Sequence, residues 1–294
     1  MTDFEFNNIL NNDIRKIENS LMYYLPEAYE GQIEVVDAMR YSLSNGGKRI
    51  RPVLTLEFAR ACGGERNDAV DLACAIEYVH TYSLIHDDLP CMDNDDMRRG
   101  KPSCHKQFGD ATALLAGDSL LTHAFEIIGN SELSDDKKVM AVSLLAQNSG
   151  VSGMIGGQVI DLKFEQGNPS ANELISVYKL KTGALISAAC LMGCIAGGGS
   201  DEQFAAASKF AYNLGIAFQI QDDILDIIGD ESKLGKPVGS DESNNKTTYV
   251  SLVGIDKAKQ DVKRLTDNAI HQLDYFENTD FIGELAFSLI NREK

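Results

Sequence analysis

Apolar residues recur along this chain at intervals of three and four, and no stretch alternates apolar with polar for long enough to build a sheet. The pattern predicts an all-α protein. Gly, Pro and Asn interrupt it at Gly46-Gly47, Gly63-Gly64, Pro90, Gly100 to Pro102, Gly129-Asn130, Gly167 to Pro169, Gly197 to Gly199 and Gly229 to Gly239. These breaks delimit roughly ten or more helices. No segment is of low complexity and no short repeat occurs, so residues 1–294 are expected to form a single domain, a helical bundle around a central cavity.

Two stretches without charge, Val139 to Ile160 and Thr182 to Ser200, are long enough to span a bilayer. The first carries Gln147, Asn148, Ser149 and Gln158 with four glycines, and the second is rich in Ala and Gly. Neither composition suits a lipid-facing helix. Both are expected as helices buried in protein, at the centre of a bundle or in a subunit interface, with no stable membrane insertion.

Forty-four acidic against twenty-seven basic residues leave a formal charge of -17, which excludes nucleic acid as a partner and obliges any anionic ligand to be held by local chemistry. The six cysteines lack paired metal spacing and the chain opens without a basic-then-apolar leader, so a cytoplasmic location with thiols packed in helices is expected.

The charge is unevenly spent. Asp87, Asp88, Asp93, Asp95 and Asp96 crowd one short segment. Carboxylates about 4 Å apart repel by about 4 kcal/mol at an effective dielectric near 20, so the crowding asks for cations. Ala73, Ile76, Glu77, His80, Leu84 and Asp87 recur at helical spacing, and Pro90 then breaks the helix, which permits Asp93 to curl back toward Asp87. A second row, Gln219, Asp222, Asp223 and Asp226, follows the spacing i, i+3, i+4, i+7 and runs as a polar stripe through an apolar helix. Oxygen ligands without organised His or Cys point to Mg²⁺. Cations complete the set. Gly46-Gly47-Lys48-Arg49-Ile50-Arg51 puts three beside a flexible turn, and Arg98-Arg99-Gly100-Lys101 follows the first acidic segment. Together the acids and bases describe a site for two phosphate-bearing ligands, one bridged by metal and one gripped by cations.

On these residues the sequence resembles the trans-isoprenyl diphosphate synthase family, in particular its bacterial farnesyl diphosphate-forming branch. The resemblance rests on Asp87-Asp88-Leu89-Pro90-Cys91-Met92-Asp93 and Asp222-Asp223-Ile224-Leu225-Asp226, and on their order relative to the Gly-Gly-Lys-Arg segment, Gly156-Gly157-Gln158 with Asp161, Lys181-Thr182-Gly183 and Phe218-Gln219. It runs from about residue 40 to 250. It implies head-to-tail condensation, in which an allylic diphosphate ionises, isopentenyl diphosphate attacks the cation and a proton is lost to the released diphosphate. It implies three Mg²⁺ held by Asp87, Asp93 and Asp222, with Asp88 and Asp226 as further acidic ligands. It places the allylic diphosphate on Arg98, Lys181, Lys236 and Lys246, and the metal-free isopentenyl diphosphate on Lys48, Arg51, His80 and Arg99. Thr182 and Gln219 would direct oxygens at the allylic cation. A homodimer is implied as well.

Several of these residues also admit plainer readings. His80 would ordinarily be packed core, but it lies seven residues before Asp87 and so on the same face. Gln158 and Asp161 are either interhelical hydrogen-bonders or site residues, and Lys246 is either a ligand or loop charge. Chain length follows from the helix that ends in Asp87: Ser83 and Tyr82 precede it by about 6 to 7.5 Å. Tyr82 is expected to help floor a tunnel suited to a fifteen-carbon product, although a geranyl or geranylgeranyl product would use the same chemistry. A class I terpene cyclase is disfavoured by two complete aspartate motifs, a metal phosphohydrolase by too few organised histidines, and a non-catalytic regulatory subunit by the intact acids of both rows.

Overall fold

A computed structural model describes residues 1–164, 167–228 and 247–291 of the chain. Helices dominate: α1 (Asp3–Tyr23), α2 (Ile33–Ser44), α3 (Ile50–Ala61), α4 (Val70–Asp87), α5 (Cys104–Phe108), α6 (Asp110–Asn130), α7 (Asp135–Ser149), α8 (Met154–Phe164), α9 (Ala171–Val177), α10 (Ala184–Gly197), α11 (Asp201–Ile228), α12 (Tyr249–Val253), α13 (Ile255–His271) and α14 (Asp280–Ile290). The all-α expectation holds, with one addition. Met97–Arg98 pairs antiparallel with Lys101–Pro102, strands β1 and β2, across Arg99 and Gly100. Both turn residues have positive φ, 54° and 78°, as a tight two-residue hairpin requires. Two-residue strands are too short to show alternation, which hid this hairpin from the apolar pattern.

Helix α4 is the axis of the bundle. It buries Leu72 through Val79 without interruption, and then Thr81, Tyr82 and Ile85. A helix apolar on all sides belongs at the centre of a large core. Around it pack α1, α3, α6 and α10, within one contiguous apolar cluster. Helix α10, the second uncharged stretch, is buried as expected and lies against α3. A Cβ on Gly197 would stand 2.3 Å from the Ala59 carbonyl oxygen, so the small residue is what lets these two backbones meet. Together with α9 and the turn between them it forms a helix from Ala171 to Gly197 of a length and apolarity that could cross a membrane, yet most of its apolar window is buried in the fold.

One face of the first uncharged stretch is not buried within the chain, so of the two settings expected for it the bundle centre does not apply to that face. The stretch is broken by a turn after Ser149, and Val139, Met140, Val151, Ile155 and Val159 are exposed. The cysteines divide similarly: Cys74, Cys104, Cys190 and Cys194 are buried in helices, whereas Cys91 is exposed in the turn after α4.

The N-terminal helix docks through a buried acid. Asp13 on α1 is 4% exposed, and burial, reinforced by the charge of Glu57, pushes its carboxyl up to about 7 against the pull of Arg66. The folded state therefore holds a proton that the unfolded chain, with an ordinary carboxyl near 3.9, releases. Stability from this site is full at low pH and is lost as pH rises through about 7. Asp13→Asn is expected to stabilise the protein by about 2–3 kcal/mol more at pH 8 than at pH 5. Urea unfolding at the two pH values measures this, and an equal effect at both would refute it.

Candidate active site

The turn that follows α4 folds back as Pro90 permits. The Asp93 N–H donates to the Asp87 carbonyl oxygen at 2.9 Å, while the Leu89 carbonyl accepts from Met92 at 2.8 Å and from Asn94 at 3.2 Å. Asp87 and Asp93 are thereby brought to the same end of the helix. Burial pushes the Asp87 carboxyl up to about 6; the charge of Lys181 opposes the rise and that of Asp93 adds to it. A half-buried carboxylate whose charge the fold disfavours, beside a second one, is a donor set that fits a hard divalent cation.

Asp88 takes another course. It is 2% exposed and its oxygens accept from Arg98 Nε at 3.0 and 3.2 Å and from the Arg98 terminal nitrogen. The β1–β2 hairpin is what delivers Arg98 to it. At the hairpin tip the Arg99 guanidinium donates to the Gly46 carbonyl and lies on Gly47, so the two basic segments do converge.

Of the three cations after Gly47, two belong to this patch and one does not. Arg49, at φ 49°, turns inward, where its side chain is 1% exposed and pairs with Glu77 at 2.7 Å. Arg49 therefore stands apart from Lys48 and Arg51, the two cations of this segment expected at phosphate: its charge is already matched inside the core. Lys48 is exposed, and Arg51 is half-buried beside His80, with its terminal nitrogen 3.3 Å from His80 Nε2. Burial, and then the charges of Arg51, Arg99, Arg49 and Arg98, hold the His80 pKa well below its usual range. A neutral His80 can accept from Arg51 on Nε2.

Below this patch opens a cavity of about 620 Å³. Asp87, Lys181 and Thr182 stand along it with Arg51 and His80, while Leu84, Leu121, Met154, Ile155, Val159 and Leu162 give it apolar walls. Tyr82 and Ser83 line it as the sequence led one to expect. Tyr82 is 5% exposed and sets its ring edge-on to His86 at 5.6 Å and 79°. Ser83 donates to the His80 carbonyl at 2.9 Å.

Lys181 and Thr182 sit on an irregularity that no pattern in the sequence announced. Residues Tyr178–Gly183 form a π-helical turn between α9 and α10. Such turns widen a helix and recur at functional sites. Lys181 pairs with Asp161 on α8 at 2.6 Å, an interhelical contact made to a candidate site residue. A Cβ on Gly157 would stand 2.3 Å from the Lys181 backbone nitrogen, so the glycine admits α8 against the π turn. Gln158 lines the cavity with a buried Oε1 that has no hydrogen-bond partner.

The second acidic row lies on α11. Gln219 donates its amide to Asp222 at 3.2 Å, and Asp226 is buried at 4% exposure. Asp223 accepts at one oxygen from the Tyr178 hydroxyl at 2.6 Å and from the Tyr249 N–H at 2.8 Å. The π turn thus shares a cavity with Asp87 through Lys181 and Thr182 and touches the second row through Tyr178 and Asp223, while Gln219, Asp222 and Asp226 are not among the residues lining that cavity. Lys236 and Lys246 lie outside the described residues. Among the described residues no group of three or more acidic, imidazole or thiol side chains is gathered to hold a metal ion; Mg²⁺ commonly takes only one or two carboxylates, with water and phosphate oxygens completing its shell.

Known proteins resemble this chain in sequence and in fold. The family model described as "Polyprenyl synthetase" matches residues 33–280. The chain is 46% identical over 265 residues to a farnesyl diphosphate synthase of Geobacillus stearothermophilus, covering 88% of each. Its fold is similar to a crystal structure of geranylgeranyl pyrophosphate synthetase from Pyrococcus horikoshii, with a TM-score of 0.91, 32% identity and coverage of 99% of this chain and 100% of that one. It is likewise similar to a geranyltransferase from Helicobacter pylori complexed with magnesium and isoprenyl diphosphate, with a TM-score of 0.84, 32% identity and coverage of 99% and 98%.

Proposed function

The chain belongs to the polyprenyl synthetase family and is a trans-prenyl diphosphate synthase, and from that premise we propose that it condenses isopentenyl diphosphate with dimethylallyl and then geranyl diphosphate to give (2E,6E)-farnesyl diphosphate. The observation that carries the product assignment is Tyr82, closed in at 5% exposure and braced by His86 in the wall of the cavity that opens beside Asp87.

In this reading Lys48, Arg51, His80 and Arg99 bind isopentenyl diphosphate. They need no metal, because cations already outnumber acids there and a neutral His80 leaves Arg51 free to donate. The allylic diphosphate is gripped by Arg98 and Lys181, with Lys236 and Lys246 proposed alongside. Asp87, Asp93 and Asp222 would hold Mg²⁺, three ions in all, and Asp226 would support Asp222 from below. Bound there, Mg²⁺ supplies positive charge against the diphosphate that departs. Asp88, matched by Arg98, is assigned the task of aiming that guanidinium. Thr182 and Gln219 turn oxygens toward the allylic carbon as it becomes cationic, and Leu84, Leu121 and Ile155 keep water from it. The proton lost after carbon–carbon bond formation goes to the released diphosphate. Exposed Leu115, Val139, Met140 and Val151, on α6, α7 and the turn after α7, support a homodimer, the single apolar cluster supports one catalytic domain over residues 1–294, and a cytoplasmic location is proposed with them.

Incubation with isopentenyl and dimethylallyl diphosphates and Mg²⁺, followed by identification of the product, tests the assignment. Farnesyl diphosphate is expected. A twenty-carbon product would move the chain to the geranylgeranyl-forming members with its chemistry intact, and no prenyl transfer would refute the reading. In the same assay Tyr82→Ala is expected to lengthen the main product by one or more isoprene units, and Ser83→Phe to shorten it. Unchanged product lengths in both variants would remove Tyr82 and Ser83 as determinants.

A further inference from the structure

Asp222 and Asp223 are neighbours on α11, so their side chains leave the helix about 100° apart and cannot serve one ligand in the same way. Asp222 lies toward Gln219, on the row already described. Asp223 engages two other elements through a single oxygen, the hydroxyl of Tyr178 at 2.6 Å and the backbone N–H of Tyr249 at 2.8 Å.

Each donor matters for where it stands. Tyr178 is buried and opens the π turn, three residues before Lys181 and four before Thr182. A π turn is locally less well held than an α-helix, so its shape depends on outside support. Support from α8 is already present in Gly157 and Asp161. Asp223 supplies it from another helix, α11. Tyr249 is the first residue of α12, and its N–H is one of the amides a helix start leaves without an internal partner. A charged oxygen shared by these two donors joins α11, the π turn and the start of α12 at one point.

We propose that Asp223 is a positioning residue for prenyl transfer, holding Lys181 and Thr182 in register with the second acidic row through Tyr178, rather than a metal ligand. The proposal rests on the prenyl-transfer reading of the site. It separates two adjacent aspartates by role, the first facing the row of site residues and the second facing the scaffold.

The experiment compares Asp223→Asn, Asp223→Ala, Tyr178→Phe and Asp222→Asn in the full chain. Asparagine keeps an oxygen that can accept from both Tyr178 and Tyr249, so Asp223→Asn is expected to retain kcat to within about threefold, reflecting the weaker neutral acceptor. Asp223→Ala is expected to lower kcat by about thirty- to a hundredfold, the effect of misplacing catalytic groups by about 1 Å, and Tyr178→Phe by a smaller factor. The KM for isopentenyl diphosphate and the Mg²⁺ concentration for half-maximal rate should not move in these three, whereas Asp222→Asn should raise the Mg²⁺ requirement. Amide hydrogen exchange over residues 178–183 should quicken in Asp223→Ala and in Tyr178→Phe. Loss of activity in Asp223→Asn with a raised Mg²⁺ requirement would make Asp223 a metal ligand and overturn the proposal. Wild-type exchange and kcat in Asp223→Ala would overturn it as well. A wild type without prenyl transfer would remove the parent reading, and exchange over residues 178–183 would still judge the anchor.

Discussion

Asp87→Asn is expected to lower kcat by about a thousandfold or more at saturating substrate and Mg²⁺, while making the metal-free protein slightly more stable at pH 8. Both signs come from one feature, a carboxylate placed where the fold disfavours its charge. Asp87 ends α4, where the helix dipole is negative, and burial pushes its carboxyl up to about 6 with Asp93 adding to the rise. Without metal, the folded state binds a proton there that the unfolded chain releases above about pH 4, so stability falls as pH rises toward 6. A neutral amide escapes that loss, worth about 1 kcal/mol above pH 7. The same amide cannot present the charge that Mg²⁺ and a departing diphosphate require, and removal of one such electrostatic contribution costs about 100- to 1,000-fold even where the donor is neutral. Steady-state kinetics and thermal unfolding in chelator check the two halves. Turnover within tenfold of wild type would end the metal role proposed for Asp87. A corollary concerns pH: Mg²⁺ competes with a proton at Asp87, so its apparent affinity should fall as pH drops below about 6.

What the sequence made legible here was mostly what depends on residue type and local spacing. The acidic rows, the basic segments, the return of the chain after Pro90 and the cavity position of Tyr82 and Ser83 all follow from helix periodicity and one proline. What stayed hidden depends on long-range partners. Arg49 looks like its neighbours Lys48 and Arg51 until Glu77, one element away, is seen to claim it. Asp88 looks like Asp87 until the hairpin brings Arg98 to its oxygens. The π turn at Tyr178–Gly183 had only Gly183 as a local hint, and the contacts it makes are with Gly157, Asp161 and Asp223 on other helices. Composition likewise reports that the first uncharged stretch carries an apolar face, its exposed valines, but not what covers it.

Glu77→Ala is expected to be the most destabilising of the substitutions considered, by about 3–5 kcal/mol, because it strands a buried guanidinium. Glu77 and Arg49 are 2% and 1% exposed at the side chain, and 2.7 Å separates them. Arg49 also donates to the Leu43 carbonyl, which leaves Glu77 as its one well-buried counter-charge; Glu18, at 3.8 Å, is half-exposed. Glu77 further offsets the positive charge of Arg51 and Arg99 above it. Its loss therefore acts twice, on the core and on the repulsion among the cations proposed to bind isopentenyl diphosphate. Arg49 holds the chain at φ 49° between Lys48 and Arg51, so a displaced Arg49 should also raise the KM for isopentenyl diphosphate more than that for the allylic substrate. Urea unfolding measures the first effect and initial rates the second. The double variant Arg49→Met, Glu77→Leu separates charge from packing: it should recover most of the stability lost in Glu77→Ala, since apolar side chains replace a buried pair without leaving either ion alone. A double variant no more stable than Glu77→Ala would show that packing around α4, and not the unpaired charge, accounts for the loss.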